Sequence, residues 1–186
     1  VNQRDADNRI VTHVIPLNQP RQASTLLEYN RRALISEYGE VVVAYDSKQL
    51  VICKAGLKSG IPVYSYNLIR DVIMDAVIVD DKTVKVVTST GRVITYTLRE
   101  DWASNLSDDP FIIKVNVPIQ PDVEQQTVTI ARFSPNGHKV CACVESATYP
   151  KTYGVNVYQI VEAAGATPTM SVNQISPTHM EWGVSG

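Results

Sequence analysis

Apolar residues along this chain come in short runs, and within several of them alternate positions differ in character. The segments "EVVVAYD", "QLVICKA", "PVYSYNL", "AVIVDD", "VKVVTST", "RVITYTL", "FIIKVNV", "VTIARFS", "KVCACVE" and "VNVYQIV" are rich in Val, Ile, Thr and Tyr, the residues that fit a pleated surface. In "RVITYTL", Val93, Thr95 and Thr97 alternate with Ile94, Tyr96 and Leu98, the period of a sheet with two unlike faces. Turn residues punctuate the runs at Asp46-Ser47, Asp80-Asp81, Thr90-Gly91 and Pro135-Asn136-Gly137, where side-chain bonds to the backbone and left-handed conformations favour reversal. One window, Gln22 to Arg32, reads as a helix on its apolar residues Leu26, Leu27 and Tyr29. A second, Tyr66 to Met74, reads either as a helix or as a loop leading into a strand.

The strands group. After Tyr38-Gly39 come a hydrophobic strand, a tight turn at Asp46-Ser47, another strand, and a third over Val63 to Leu68. The same series follows Asp80-Asp81, and it starts a third time at Asn136-Gly137. With the strand before each turn, these are three copies of a four-stranded meander, over residues 25–68, 69–118 and 127–175. A repeat spacing of roughly 40–55 residues is the signature of propeller blades. The third copy is stretched by "SATYPKTYG" and preceded by the acidic linker "QPDVEQQ". Residues 10–17 and 178–186 read as strands of adjoining blades. The expected fold is therefore all-β, a partial β-propeller of about three to four four-stranded antiparallel blades forming one segment over 1–186. A β-sandwich or barrel of similar strand count is the alternative.

The stretch "VTIARFSPNGHKVCACVES" resembles the first two strands of a WD-repeat blade. In that family an apolar strand ends in Phe-Ser-Pro-Asp/Asn-Gly and a strand of small and apolar residues follows. "DAVIVDDKTVKVVTSTGRVITYTL" shares the strand rhythm. No Gly-His pair precedes a blade, and no Trp-Asp closes a third strand, where the chain reads "VYQI", "TYTL" and "VICK". The resemblance thus implies a degenerate propeller without the family's buried His–Asp network, held by apolar packing between blades. WD-repeat propellers usually run to about 300 residues at roughly 43 per blade, so this chain is expected to be a segment. Missing blades would come from further chain or from a second protein.

Composition narrows the chemistry. The 186 residues suffice for a sizeable core, 44% are hydrophobic, and the net charge of -2 makes no broad electrostatic case for nucleic acid. Three cysteines, an odd and low count, point to a reducing, intracellular compartment, cytoplasmic or nuclear. No apolar run approaches the eighteen or so residues of a membrane span, and no signal peptide is visible.

Candidate sites are few. Cys141 and Cys143 flank Ala142 on one strand and are expected on one face as structural thiols, since a zinc site wants Cys-x2-Cys spacing and a second ligand pair. Cys53 is expected in the core. His13, His138 and His179 are scattered, and no nucleophile elbow, His-Glu-x-x-His or phosphate loop occurs. Asp80-Asp81 and Asp108-Asp109 are explained by turn chemistry. No catalytic residue, cofactor or metal ligand is assigned, and the chain is read as a non-enzyme.

Nine tyrosines and two tryptophans against two phenylalanines favour interface chemistry, because these rings are amphipathic anchors. The interface candidates are Trp102 in "LREDWASNLSDDP", Tyr149 and Tyr153 in "TYPKTYG", and the pair Arg31 and Arg32. The expected function is a non-catalytic protein-interaction scaffold within a multisubunit assembly, partnered by other protein subunits. The alternatives are an enzyme or small-ligand binder using a propeller channel, and a nucleic-acid-associated propeller acting through Arg31 and Arg32.

Overall fold

Fifteen strands and no helix make up the described part of the chain. The computed structural model describes residues 2–4, 10–14, 24–28, 32–39, 41–54, 63–68, 71–101, 109–116, 119, 126–146, 153–160, 168–173 and 182. The strands are β1 (Asn2–Arg4), β2 (Ile10–Val14), β3 (Ser24–Glu28), β4 (Arg32–Ile35), β5 (Val41–Tyr45), β6 (Gln49–Lys54), β7 (Val63–Asn67) and β8 (Ile73–Asp80), followed by β9 (Thr83–Thr88), β10 (Val93–Leu98), β11 (Phe111–Asn116), β12 (Gln126–Phe133), β13 (Lys139–Ser146), β14 (Tyr153–Gln159) and β15 (Pro168–Asn173). They form a three-stranded sheet β1-β2-β3 and three four-stranded sheets, β4 to β7, β8 to β11 and β12 to β15, each in sequence order. All pairings are antiparallel. The fold is all-β, with the four-stranded meanders of a partial β-propeller.

The chain divides into two compact units, Val1–Arg70 and Asp71–Gly186. In the first, β2 is the middle strand of the three-stranded sheet, and the adjoining strand expected over 10–17 is described only as Ile10–Val14. The helix expected over Gln22 to Arg32 is not formed. Its described residues are β3, paired with β2, and the start of β4, paired with β5. Two leucines give too little of an apolar stripe to favour a helix over sheet pairing. Of Tyr66 to Met74, Tyr66 and Asn67 end β7 and Ile73 begins β8, so this window is not a helix. Of 178–186, only Trp182 is described.

Two sheets use the same hairpin. Ser36 N–H donates to the Val41 carbonyl at 2.8 Å and Gly39 N–H to the Ser36 carbonyl at 2.9 Å, while Val41 N–H donates to Ser36 Oγ at 3.0 Å. In "SPNG", Ser134 N–H reaches the Lys139 carbonyl at 2.9 Å, Gly137 N–H reaches the Ser134 carbonyl at 2.9 Å, and Lys139 N–H reaches Ser134 Oγ at 3.0 Å. Both serines are buried, so each hydroxyl satisfies a backbone donor that would otherwise lack a partner.

Within the second unit, the face of β12 to β14 packs on the inner part of β8 to β10. Val87, Val93 and Ile119 share a core with Val128, Phe133, Val140 and Tyr158, flanked by Met74, Val77 and Ile160. Apolar packing between sheets is thus present, but polar braces join it. Phe133 N–H donates to Asp75 Oδ2 at 2.9 Å, an Arg132 guanidinium N–H donates to the Met74 carbonyl at 3.0 Å, and Lys85 Nζ donates to the Gly137 carbonyl at 3.0 Å. Gly137 itself sits at φ 68°, and a Cβ there would lie 2.8 Å from Val79 Cγ2, so glycine is required twice over.

At the inner end of β8 to β11, the buried Asp71 organises the β9–β10 turn. Its carboxylate accepts from Val72 N–H at 2.9 Å, Ser89 Oγ at 2.9 Å, Thr90 N–H at 3.3 Å and Thr90 Oγ1 at 2.6 Å. Burial opposes the charge, but hydrogen bonds from Thr88, Thr90, Ser89 and the Val72 amide together hold the carboxyl below its ordinary value.

Candidate interaction surface

Among the described strands, β11 is the outermost of its sheet, bonded to β10 on one side. Which of its backbone groups face outward follows from the ladder. Arg99 N–H donates to the Pro110 carbonyl at 2.8 Å, which makes that pair a hydrogen-bonded one. Antiparallel pairs alternate, so Thr97–Ile112, Thr95–Lys114 and Val93–Asn116 bond across the strands. The intervening residues Phe111, Ile113 and Val115, opposite Leu98, Tyr96 and Ile94, therefore turn their N–H and C=O groups to the open edge. The Phe111 N–H bears this out, since it is capped by Asp109 Oδ1 at 2.9 Å. The same carboxylate adds to burial in pushing the Tyr96 hydroxyl up to about 12.

Apolar side chains accompany this edge. Ile112, Ile113 and Val115 are 51%, 45% and 54% exposed, and Lys114 between them is exposed as well. On the face carrying Ile112, Lys114 and Asn116, a cleft of about 330 Å³ is lined by Val79, Thr83, Lys85, Thr95, Thr97, Lys114, Asn116 and Ile160. Register places Lys85 opposite Thr95 and Thr95 opposite Lys114. Two ammonium-bearing residues thus stand in one cross-strand row, about 10 Å apart at two strand spacings, and none of the described residues lining the cleft is acidic. Lys85 is anchored on Gly137. The Lys114 side chain makes no hydrogen bond or ion pair among the described residues.

The residues singled out from sequence lie elsewhere. Trp102, Tyr149 and Arg31 fall outside the described residues. Tyr153 is half-buried at the start of β14, opposite Glu145. Arg32 is exposed at the start of β4, where its guanidinium reaches Tyr45 Oη at 3.5 Å. Tyr153 and Arg32 belong to different sheets, and neither sheet contains β11. A second exposed apolar pair, Ile35 and Tyr38, sits at the Ser36–Gly39 hairpin. Sequence reasoning passed over β11, although a lysine amid the apolar residues of "FIIKVNV" is the kind of charge that edge strands carry.

The thiols are set in packed strands. Cys141 and Cys143 alternate with Ala142 in an unbroken ladder against β14, so they share a face as expected. Cys143 is buried and Cys141 half-buried, and burial, with a contribution from Cys143, pushes the Cys141 thiol up. Cys53 is buried and pushed up to about 11 by desolvation. Thiols so raised are poor nucleophiles near neutrality. Among the described residues no three His, Cys, Asp or Glu side chains gather in a group able to hold a metal.

No family model matches the chain, and no curated protein matches it by sequence. The solved structures similar to it include a protein from Lactobacillus plantarum, which is 8% identical with a TM-score of 0.47 over 88% of this chain and 51% of its own. The chain therefore spans about half the length of that protein, and a likeness at this level assigns it neither a family nor an activity.

Proposed function

We propose that this chain is a non-catalytic interaction scaffold, a WD-repeat-like propeller segment that serves as part of a subunit in an intracellular multisubunit complex. The observation that carries the reading is the division of labour between its polar and apolar groups. Among the described residues, the buried polar side chains Ser36, Asp71, Thr88 and Ser134 are all engaged in bracing turns, which leaves none of them aimed at a reacting centre. Large apolar side chains are instead spent on the surface, at Ile112, Ile113 and Val115 on an open strand edge and at Ile35 and Tyr38 on a hairpin. Exposed apolar side chains beside outward-facing backbone groups are the physical form of a docking site. Among the described residues, no helix is long and apolar enough to cross a membrane.

The test is affinity capture with quantitative mass spectrometry. The wild-type chain is compared with Ile112→Ser/Val115→Ser and with Ile35→Ser/Tyr38→Ser. A stoichiometric protein partner lost from one variant supports the reading. Retention of every captured protein by both variants, each of them folded, contradicts it.

A further inference from the structure

The open edge and the cationic cleft share one strand, and together they define an occupant. The geometry points to β11 as a strand-addition site for an extended peptide of a protein partner in which acidic and apolar residues alternate. This inference rests on the scaffold reading above and names the chemistry of the partner.

Backbone pairing comes first. Among the described residues of β11, Ile113 and Val115 offer both an outward N–H and an outward C=O, whereas the Phe111 amide is already held by Asp109. An added strand therefore exchanges its main-chain bonds with these two residues, and affinity from those bonds is sequence-tolerant. Side-chain alternation then supplies the specificity. The residues of the added strand next to Ile113 and Val115 share a face with those exposed side chains, and β-branched or other apolar residues suit it. The residue next to Lys114 extends the row Lys85–Thr95–Lys114. Among the described residues, that face presents two ammonium groups, three threonine hydroxyls and the Asn116 amide, and no acid. A carboxylate there meets Lys114 at cross-strand distance, whereas a lysine there meets like charge.

The same register argues against a second copy of this chain as the occupant. An antiparallel self-pairing that uses both Ile113 and Val115 sets Ile113 opposite Val115 and Lys114 opposite Lys114. The register centred on Ile113 sets Val115 against Phe111, whose amide is taken. Like charges directly opposed, or a spent donor, disfavour each of these pairings.

The experiment uses the full chain and two capped synthetic octapeptides, one alternating Val and Glu and one alternating Val and Lys. Binding is read by amide chemical shifts and by titration. The Val–Glu peptide is expected to bind saturably, to move the amide signals of Ile113 and Val115 most, and to bind at least tenfold more tightly than the Val–Lys peptide. Lys114→Glu should reverse that order, and Ile113→Pro, which removes an outward donor, should weaken the Val–Glu peptide at least tenfold. Equal binding of the two peptides, binding of neither, or shifts mapped away from β11 would overturn the inference. So would a concentration-dependent dimer of the free chain abolished by Ile113→Pro. If the peptides fail while affinity capture still returns a partner lost from Ile35→Ser/Tyr38→Ser, the scaffold reading stands and the β11 assignment falls.

Discussion

β5 and β11 are both short, apolar and hydrogen-bonded in antiparallel sheets, yet every residue of β5 is buried and Ile112 through Val115 of β11 are all exposed. "VVVAY" lies between β4 and β6, so both its edges are paired; "FIIKVN" has a described neighbour on one side only. What separates them is position in the sheet rather than hydrophobic content, and position determines which apolar residues stabilise the fold and which remain available to a partner. The contrast also runs within a single sheet. At the inner end of β8 to β11, the β9–β10 turn is braced by Asp71 and packed beneath Ile119. At the edge of the same sheet, β11 turns backbone groups away from β10, with no described strand beyond them.

The sharpest way to probe the tight end is Gly91→Ala. Gly91 sits at φ 78°, and a Cβ there would run into the Ile119 carbonyl oxygen. Left-handed strain and overpacking together are expected to cost about 3 kcal/mol or more, read by chemical denaturation. A loss under about 1 kcal/mol would mean that the inner end is as loose as the outer edge.

Val43→Ala should come next. Val43 is fully buried in β5, and the removed methyl groups with the cavity left behind cost about 2 kcal/mol. An effect no larger than that of a β11 truncation would break the comparison between the two strands.

Acid should then separate the inner end from the rest. Asp71 has its folded-state pKa held below the unfolded value. Its contribution to stability is therefore fully present above the ordinary carboxylate pKa and is lost as pH falls through the depressed folded value. Asp71→Asn should lower stability at neutral pH and flatten the fall in stability below about pH 4. An unchanged acid limb in a denaturation series at several pH values would remove Asp71 as the brace. The smallest effect is expected for Ile113→Ala, within about 0.5 kcal/mol by the same denaturation measurement, because the side chain has little packing to lose.

Much of this architecture was legible in the sequence. The β-branched runs and the turns at Asp46, Asp80, Thr90 and Asn136 mark strands that the structure contains, because strand period and turn chemistry are local properties. The Ser36–Gly39 hairpin was legible as a turn at Tyr38-Gly39, but the three bonds that it shares with Ser134–Gly137 were not. The shared requirement reduces to a buried serine and a left-handed glycine three residues later, a pattern too sparse to stand out. Leu26 and Leu27 misled toward a helix because two adjacent leucines suit a strand as well as a helical turn. The polar braces Asp75–Phe133 and Lys85–Gly137 span 58 and 52 residues, so no local pattern announces them. The β11 surface was hidden for the same reason: "FIIKVN" looks like any core strand until the sheet order makes it the last one.

Backbone amide hydrogen exchange across β11 in the free chain tests the open edge most directly. The ladder predicts alternation: slow exchange at Ile112 and Lys114, whose amides bond to β10, and fast exchange at Ile113 and Val115, whose amides face outward. Uniform protection from Ile112 to Val115 would mean that the edge is already covered, and would contradict the claim that β11 is the surface this molecule offers to a partner.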